Sequence, residues 1–169
     1  GLITGRINSL NATGMVLRLA DQIVIKGRMN SRNLSDVNNS LLNLALSEFT
    51  VSVSTLNALI PGFNPPENFY KLGKIRFNGR FDGYFQDFVA YGDLNSDLGT
   101  AELDMRLDLK EGAELAQYSG SAALTGFDLA KWSDNNAFGI IEMDAQVKDG
   151  KGLRLESVSA SVVANVNVL

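Results

Sequence analysis

The residues best suited to chemistry lie between positions 93 and 104. The run Asp93-Leu94-Asn95-Ser96-Asp97 has the D-x-N-x-D spacing that opens an EF-hand calcium loop. Such a loop also needs Gly at its sixth position and a bidentate Glu at its twelfth, where this chain has Leu98 and Asp104. Strand-like sequence flanks the run, whereas an EF-hand loop lies between helices. The pattern therefore predicts a polar hairpin turn and no metal site.

Glu102, Asp104 and Asp108 are the second candidate set, because carboxylates at every second position share one face of a strand. Two carboxylates about 5 Å or about 6.5 to 9.5 Å apart support glycoside hydrolysis. Charged residues in this pattern are more typical of the solvated side of a sheet, and no aromatic subsites accompany them. The chain has no His and no Cys, so it lacks the commonest general base and any thiol nucleophile. We expect no enzyme activity and no cofactor.

Composition and charge are those of one soluble, folded domain. The chain has 169 residues, of which 45% are hydrophobic and 20% charged, and its net charge of −4 gives no electrostatic reason to expect a nucleic-acid partner. No apolar run approaches the roughly 20 residues of a membrane helix, so a membrane anchor is expected outside this sequence. Strand-like pattern extends to Gly1 and Leu169, which we interpret as a segment of a longer, repeat-built protein.

Alternation of apolar and polar residues is the dominant pattern, and it predicts strands with one buried and one wet face. Such strands belong to antiparallel sheets. Gly-containing connections at Lys110-Glu111-Gly112 and Asp149-Gly150-Lys151-Gly152 predict hairpins, and hence a mostly β meander. The apolar residues assigned to the inner face are Ile23, Ile25, Met29, Ile75, Phe77, Phe81, Phe88, Leu103, Met105, Leu107, Leu109, Ile141, Met143, Ala145, Val147, Val162 and Val166.

Glycines mark a weak internal repeat. Residues 23–29 and 75–81 both match I-x-[IF]-[KN]-G-R-[MF], with Gly27 and Gly79 52 residues apart, and a looser copy surrounds Gly120. Repetition at this scale predicts a unit that stacks on its neighbours. Glycine within a strand pattern also predicts a bulge or a close approach of two backbones.

Helix is expected at two places. Residues 54–60 have an N-cap candidate and an apolar face before Pro61-Gly62 ends them, and residues 127–132 form one further turn. A loop near residues 61–70 is predicted between two portions of the sheet. Residues 1–169 together are predicted to form a single β segment.

The aromatic residues leave two interpretations open. They fit the sealed core of a sandwich or barrel, which the pattern by itself favours, and they fit a groove wall that faces an apolar ligand. Periodicity does not separate the two, because a core and a lipid cavity are lined by the same residue types. The series comprises Phe63, Phe69, Tyr70, Phe77, Phe81, Tyr84, Phe85, Phe88 and Tyr91.

The run from Leu72 to Thr100 resembles repeats of the AsmA-like and TamB family of Gram-negative envelopes, particularly its Bacteroidetes type. The resemblance continues through residues 118–120 and 124–129 into residues 139–145. It covers about the last 100 residues well and about the first 65 loosely. The shared motifs are mostly glycines and alternating apolar positions.

This resemblance implies an antiparallel meander curled into a groove ("β-taco") or incomplete barrel, with an apolar inner face along which phospholipid acyl chains move. It implies a periplasmic protein that reaches between the two membranes and is anchored to the inner membrane through a segment outside this chain. The residues assigned to the inner face would then line the lipid groove. No catalytic or metal site is implied.

Two alternatives stay open. The first is an outer-membrane protein assembly module, whose sheet edges bind strands of a partner such as a barrel assembly protein. The second is a closed β-sandwich of a surface protein.

Overall fold

A computed structural model describes residues 1–6, 8–19, 22–36, 39–59, 65–112, 114–153 and 158–168. These residues form a mostly β protein. The strands are β1 (Leu2–Arg6), β2 (Ser9–Leu19), β3 (Ile23–Arg32), β4 (Leu41–Ser52), β5 (Lys74–Tyr84), β6 (Asp87–Ser96), β7 (Gly99–Asp108), β8 (Gln117–Asp128), β9 (Ile140–Lys151) and β10 (Ser159–Val168). The helices are α1 (Val53–Leu59), a 3₁₀ helix (Glu67–Leu72) and α2 (Leu129–Ser133).

All ten strands belong to one sheet, in which the spatial order of the strands is their order along the chain. Every neighbouring pair is antiparallel. The prediction of a mostly β antiparallel meander is therefore confirmed. The sheet is neither closed nor strongly curled, and β1 and β10 are its two edges. A closed sandwich needs two sheets that face each other, and the described residues form a single one.

Glycines occur where neighbouring backbones come too close for a side chain, as predicted. A Cβ atom on Gly27 would collide with the carbonyl oxygen of Ala45, and one on Gly120 with that of Asp104. Gly120 also has φ +141°, which L side chains rarely adopt. The strand register shifts beside both glycines, and such bulges bend a strand locally.

The two copies of the repeated motif lie in β3 and β5, on either side of β4. Equivalent motif positions oppose the same β4 residue: Ile25 and Phe77 both oppose Phe49. In the same way Gly27 and Gly79 both oppose Leu46. The 52-residue spacing therefore places two similar strands in matching register around a shared central strand.

Two predicted turns are misplaced. Asp93 to Ser96 continue β6, and the turn consists of Asp97 and Leu98. Asp149 to Lys151 continue β9, where Lys151 pairs with Gln117 and Ser159. Both segments are polar and rich in turn-forming residues, but cross-strand hydrogen bonds extend the strands through them. The predicted connection at residues 110–112 does follow the end of β7.

The short helices gather at one end of the sheet. Both predicted helices are present, although α2 begins only at Leu129, because Phe127 and Asp128 end β8. The Asp128 carboxylate accepts a hydrogen bond from the Lys131 backbone N–H at 2.9 Å, which caps α2. Residues 61–64 of the predicted loop lie outside the described residues. β4 and β5, the strands before and after this predicted loop, pair directly with each other. None of the described helices is long and apolar enough to cross a membrane.

Candidate functional site

One face of the sheet is apolar over nearly its whole width. Residues that oppose each other in antiparallel strands point to the same side, so the register defines rows that run across the strands. One row is Leu17, Ile25, Phe49, Phe77, Leu94, Ala101, Leu124, Met143 and Val166. A parallel row is Ala12, Met29, Leu44, Phe81, Ala90, Met105, Gly120, Val147 and Val162. We call the surface formed by these rows and the row between them the apolar face.

The row between them contains mostly small residues. It runs Met15, Gly27, Leu46, Gly79, Gly92, Leu103, Ala122, Ala145 and Ala164. The phenylalanines of the three rows, Phe49, Phe77 and Phe81, all lie in the two outer rows. At about 4.8 Å between strands, the rows from β2 to β10 extend about 38 Å. The ring of Phe77 lies against the position that a Cβ of Gly79 would occupy.

Several large side chains on the apolar face are exposed near the two edges of the sheet, although the small Ala12 on β2 is buried. Central residues such as Phe81 and Met105 are half-buried. At the edges, Leu17 is 41% exposed and Val166 is 51% exposed. A sealed core would bury both completely, so within the described residues the face remains accessible at both sides.

The helical end closes one part of the apolar face. Leu98, Phe127 and Ile141 form a buried cluster there. Trp132 of α2 packs against this cluster, with its ring 5.8 Å from that of Phe127 and 5.0 Å from that of Phe69 in the 3₁₀ helix. We call this group of helices and its buried cluster the helical cap.

Tyr118 is the tyrosine on the apolar side of the described sheet. It opposes Leu107 on β7 and Gly150 on β9, and its ring lies against the space that a Cβ of Gly150 would need. Burial raises the pKa of the Tyr118 phenol, so it stays neutral in this surrounding.

The opposite face is polar and solvated. Glu102 and Asp104 are exposed on it, as predicted, and help line a shallow hollow of about 460 Å³ with Asp144. Asp108 is half-buried at the end of β7, 3.5 Å from Lys110 Nζ. In the part of the chain that the structure describes, no group of three or more acidic residues is arranged to hold a metal ion.

The structure places the predicted inner-face residues together, with one exception. Leu109 follows the last residue of β7 and donates its backbone N–H to Gln86, so it lies in a connection and not in a row. The prediction omitted β4, which contributes Leu42, Leu44, Leu46, Phe49 and Val51. Apolar residues alternate as far as Leu46 and could have been detected. A bulge between Leu46 and Phe49 then moves the apolar positions from even-numbered to odd-numbered residues.

The aromatic series does not form one patch. Phe77, Phe81 and Phe88 lie on the apolar face, and the rings of Phe81 and Phe88 stack at 4.4 Å. Tyr84 and Tyr91 are each 41% exposed on the polar face. The others divide between the turn after β5, which holds Phe85, and the 3₁₀ helix, which holds Phe69 and Tyr70; Phe63 lies outside the described residues.

Comparisons with protein-family models, with curated proteins and with solved structures found no match for this chain.

Proposed function

We propose that this chain is a non-catalytic segment of a lipid-conducting envelope protein, and that its apolar face carries phospholipid acyl chains. The observation that supports the proposal is the continuity of that face. Its three rows contain no charged residue from β2 to β10, and large side chains at both ends, such as Leu17 and Val166, are exposed. The resemblance to the AsmA-like and TamB family suggests the same function.

The physical chemistry of such a face suits transport better than tight binding. Each buried CH₂ group contributes about 0.8 kcal/mol, so an acyl chain gains affinity from contact length. With no polar group fixing its position, the chain is free to slide. The face, at about 38 Å across the strands, is longer than the roughly 15 Å that acyl chains occupy in one leaflet of a bilayer.

Curling of the sheet into a groove is part of the proposal. The bulges beside Gly27 and Gly120 support it, because bulges bend strands and increase their twist. The polar face would then point outwards into solvent, and the proposed groove would be open along one side. The proposed location is the periplasm, with an inner-membrane anchor in a segment outside this chain.

Lipid binding is tested with paired substitutions on β10. Val162 and Val166 are 54% and 51% exposed on the apolar face. We expect native mass spectrometry to show phospholipid co-purified with the wild-type chain, and we expect the chain to take up a fluorescent fatty acid. Val162→Gln combined with Val166→Gln should weaken uptake about tenfold, since each change removes contact with one or two CH₂ groups.

Val163→Gln is the matched control. Val163 is on the same strand and is 72% exposed, but it faces the polar side, where it opposes Gln146. This variant should take up the fatty acid like the wild type. Lipid-free wild-type protein without fatty-acid uptake, or equal losses in both variants, would contradict the proposal.

A second candidate function is strand capture by the sheet edge. β10 has ten residues, no charge and no proline, and all ten are exposed. Natural edge strands usually carry such blocking residues, so an edge without them suits an assembly module that adds a partner strand. A barrel assembly protein is the partner expected from the resemblance.

A further inference from the structure

The arginines of the repeated motif, Arg28 and Arg80, are brought together by the sheet. Arg28 lies on β3 and Arg80 on β5, both exposed on the polar face, and both oppose Ala45 of the intervening β4. Because neighbouring strands are about 4.8 Å apart, their Cα atoms are about 10 Å apart. The small side chain of Ala45 leaves the space between them open.

A hollow of about 350 Å³ lies at this position. Amide and hydroxyl side chains share its lining with the two arginines: Asn11, Thr13, Asn30 and Asn43. Asn11, Thr13 and Asn30 can donate hydrogen bonds to a ligand, whereas Asn43 Nδ2 already donates one to Asp82. Asp82 is the acidic residue among those that line the hollow.

Two carboxylates on β4 and β5, Glu48 and Asp82, have partners other than the arginines. Glu48 forms an ion pair with Lys26 at 2.5 Å, and Asp82 accepts a hydrogen bond from Asn43 Nδ2 at 2.8 Å. Within the described residues, Arg28 and Arg80 have neither a hydrogen bond nor an ion pair to a side chain. The first 84 residues carry nine Lys and Arg against five Asp and Glu, so this half of the sheet attracts anions.

We propose that the Arg28–Arg80 hollow binds a phosphate-bearing ligand. A guanidinium group presents two parallel N–H donors that match two phosphate oxygens, and two such groups facing one hollow can hold one phosphoryl group from both sides. The surrounding amides provide further donors. The hollow is on the opposite side of the sheet from the apolar face, so the proposal does not depend on acyl-chain binding.

Isothermal titration calorimetry with inorganic pyrophosphate at an ionic strength of about 0.15 M, where the Debye length is about 8 Å, tests the site. We expect the wild type to bind pyrophosphate, and we expect Arg28→Gln combined with Arg80→Gln to lose at least about tenfold in affinity, because charge-assisted hydrogen bonds are lost. Lysine at both positions keeps the charge but not the paired donors and should give an intermediate loss. Circular dichroism verifies that each variant is folded.

Arg76→Gln is the matched control, since Arg76 is exposed on the same strand and face but opposes Thr50 and Asn95, outside the hollow. It should change the affinity less than about twofold, as expected for a distant exposed charge. Asp82→Asn should strengthen binding, because it removes the negative charge from the lining. Pyrophosphate binding no tighter than chloride binding, or an Arg76→Gln loss equal to that of the double variant, would overturn the proposal.

Two sources of phosphate are then distinguished with vesicles. Arginine-dependent binding to phosphatidylglycerol vesicles, absent with phosphatidylcholine vesicles, identifies a lipid headgroup. Arginine-dependent binding of pyrophosphate without vesicle binding identifies a free phosphorylated molecule. Tighter arginine-dependent binding of polyglutamate than of pyrophosphate would instead indicate an acidic protein partner and would contradict a phosphate site.

Discussion

Asp87 illustrates how single residues stabilise the polar face. It begins β6, and its Oδ2 accepts a hydrogen bond from Lys110 Nζ at 2.5 Å. Its Oδ1 forms an ion pair with Arg106 Nη2 at 3.5 Å. The hydrogen bond from Lys110 holds the pKa of the Asp87 carboxyl below its ordinary value, against an opposing effect of burial. The ionised form is therefore favoured by the folded state.

A pH-dependent stability difference follows. A carboxyl whose pKa is lower in the folded than in the unfolded chain stabilises the fold above the unfolded pKa, and this contribution disappears as the pH falls through the folded pKa. Asp87→Asn should therefore lower the thermal unfolding midpoint at pH 7 and have a smaller effect at pH 3. Differential scanning calorimetry at both pH values checks this. An equal decrease at pH 7 and pH 3 would mean that the carboxylate charge contributes nothing.

At the scale of elements, the helical cap joins three short helical segments that have little stability of their own. Seven, six and five residues are too few for independent helices in water. Contacts between them replace that stability: Trp132 meets Phe69, and Lys71 donates hydrogen bonds to the carbonyl oxygens of Lys131 and Trp132 at 3.0 and 3.3 Å. The cap therefore depends on its aromatic cluster.

Trp132→Ala should destabilise the protein by about 2 kcal/mol, less than for a fully buried tryptophan because Trp132 is half-buried. Trp132 is the single tryptophan of the chain, so the variant has no tryptophan fluorescence. Urea denaturation is therefore followed by circular dichroism. Phe138→Ala is the control: Phe138 is 49% exposed, and its loss should cost less than about 0.5 kcal/mol. Similar losses for both variants would show that the cap contributes no specific packing.

At the scale of the whole molecule, an open sheet has edges that other strands can extend. Within the described residues β10 is a long uncharged edge, and Val163 is 72% exposed on its polar side. A lysine at the edge opposes strand addition, so Val163→Lys should reduce concentration-dependent self-association in sedimentation velocity experiments. Val89→Lys adds the same charge to the polar face of the interior strand β6, where Val89 is 38% exposed. That control should associate like the wild type; equal effects would argue against edge pairing.

Much of the element content was predictable from local pattern. The alternation in β7 and β9 placed Leu103 and Met143 correctly on the apolar side, and Gly27 and Gly120 occupy the close approaches expected of strand glycines. β4 was missed because its bulge shifts the alternation between Leu46 and Phe49. The turns at residues 93–97 and 149–152 were misplaced because turn-forming residues also occur in strands when a neighbouring strand completes their hydrogen bonds.

The sequence by itself determined which side chains share a face within each strand, because successive residues of a strand point to opposite sides regardless of their neighbours. It also determined the chain's lack of histidine and cysteine. Only the tertiary structure decided which strands lie side by side and in which register, since these depend on contacts between residues far apart in the chain. That register aligns the apolar rows across nine strands and places Arg28 and Arg80 on either side of Ala45. No local pattern contains this arrangement, because a shift of one residue in any pairing would move every side chain of that strand to the other face.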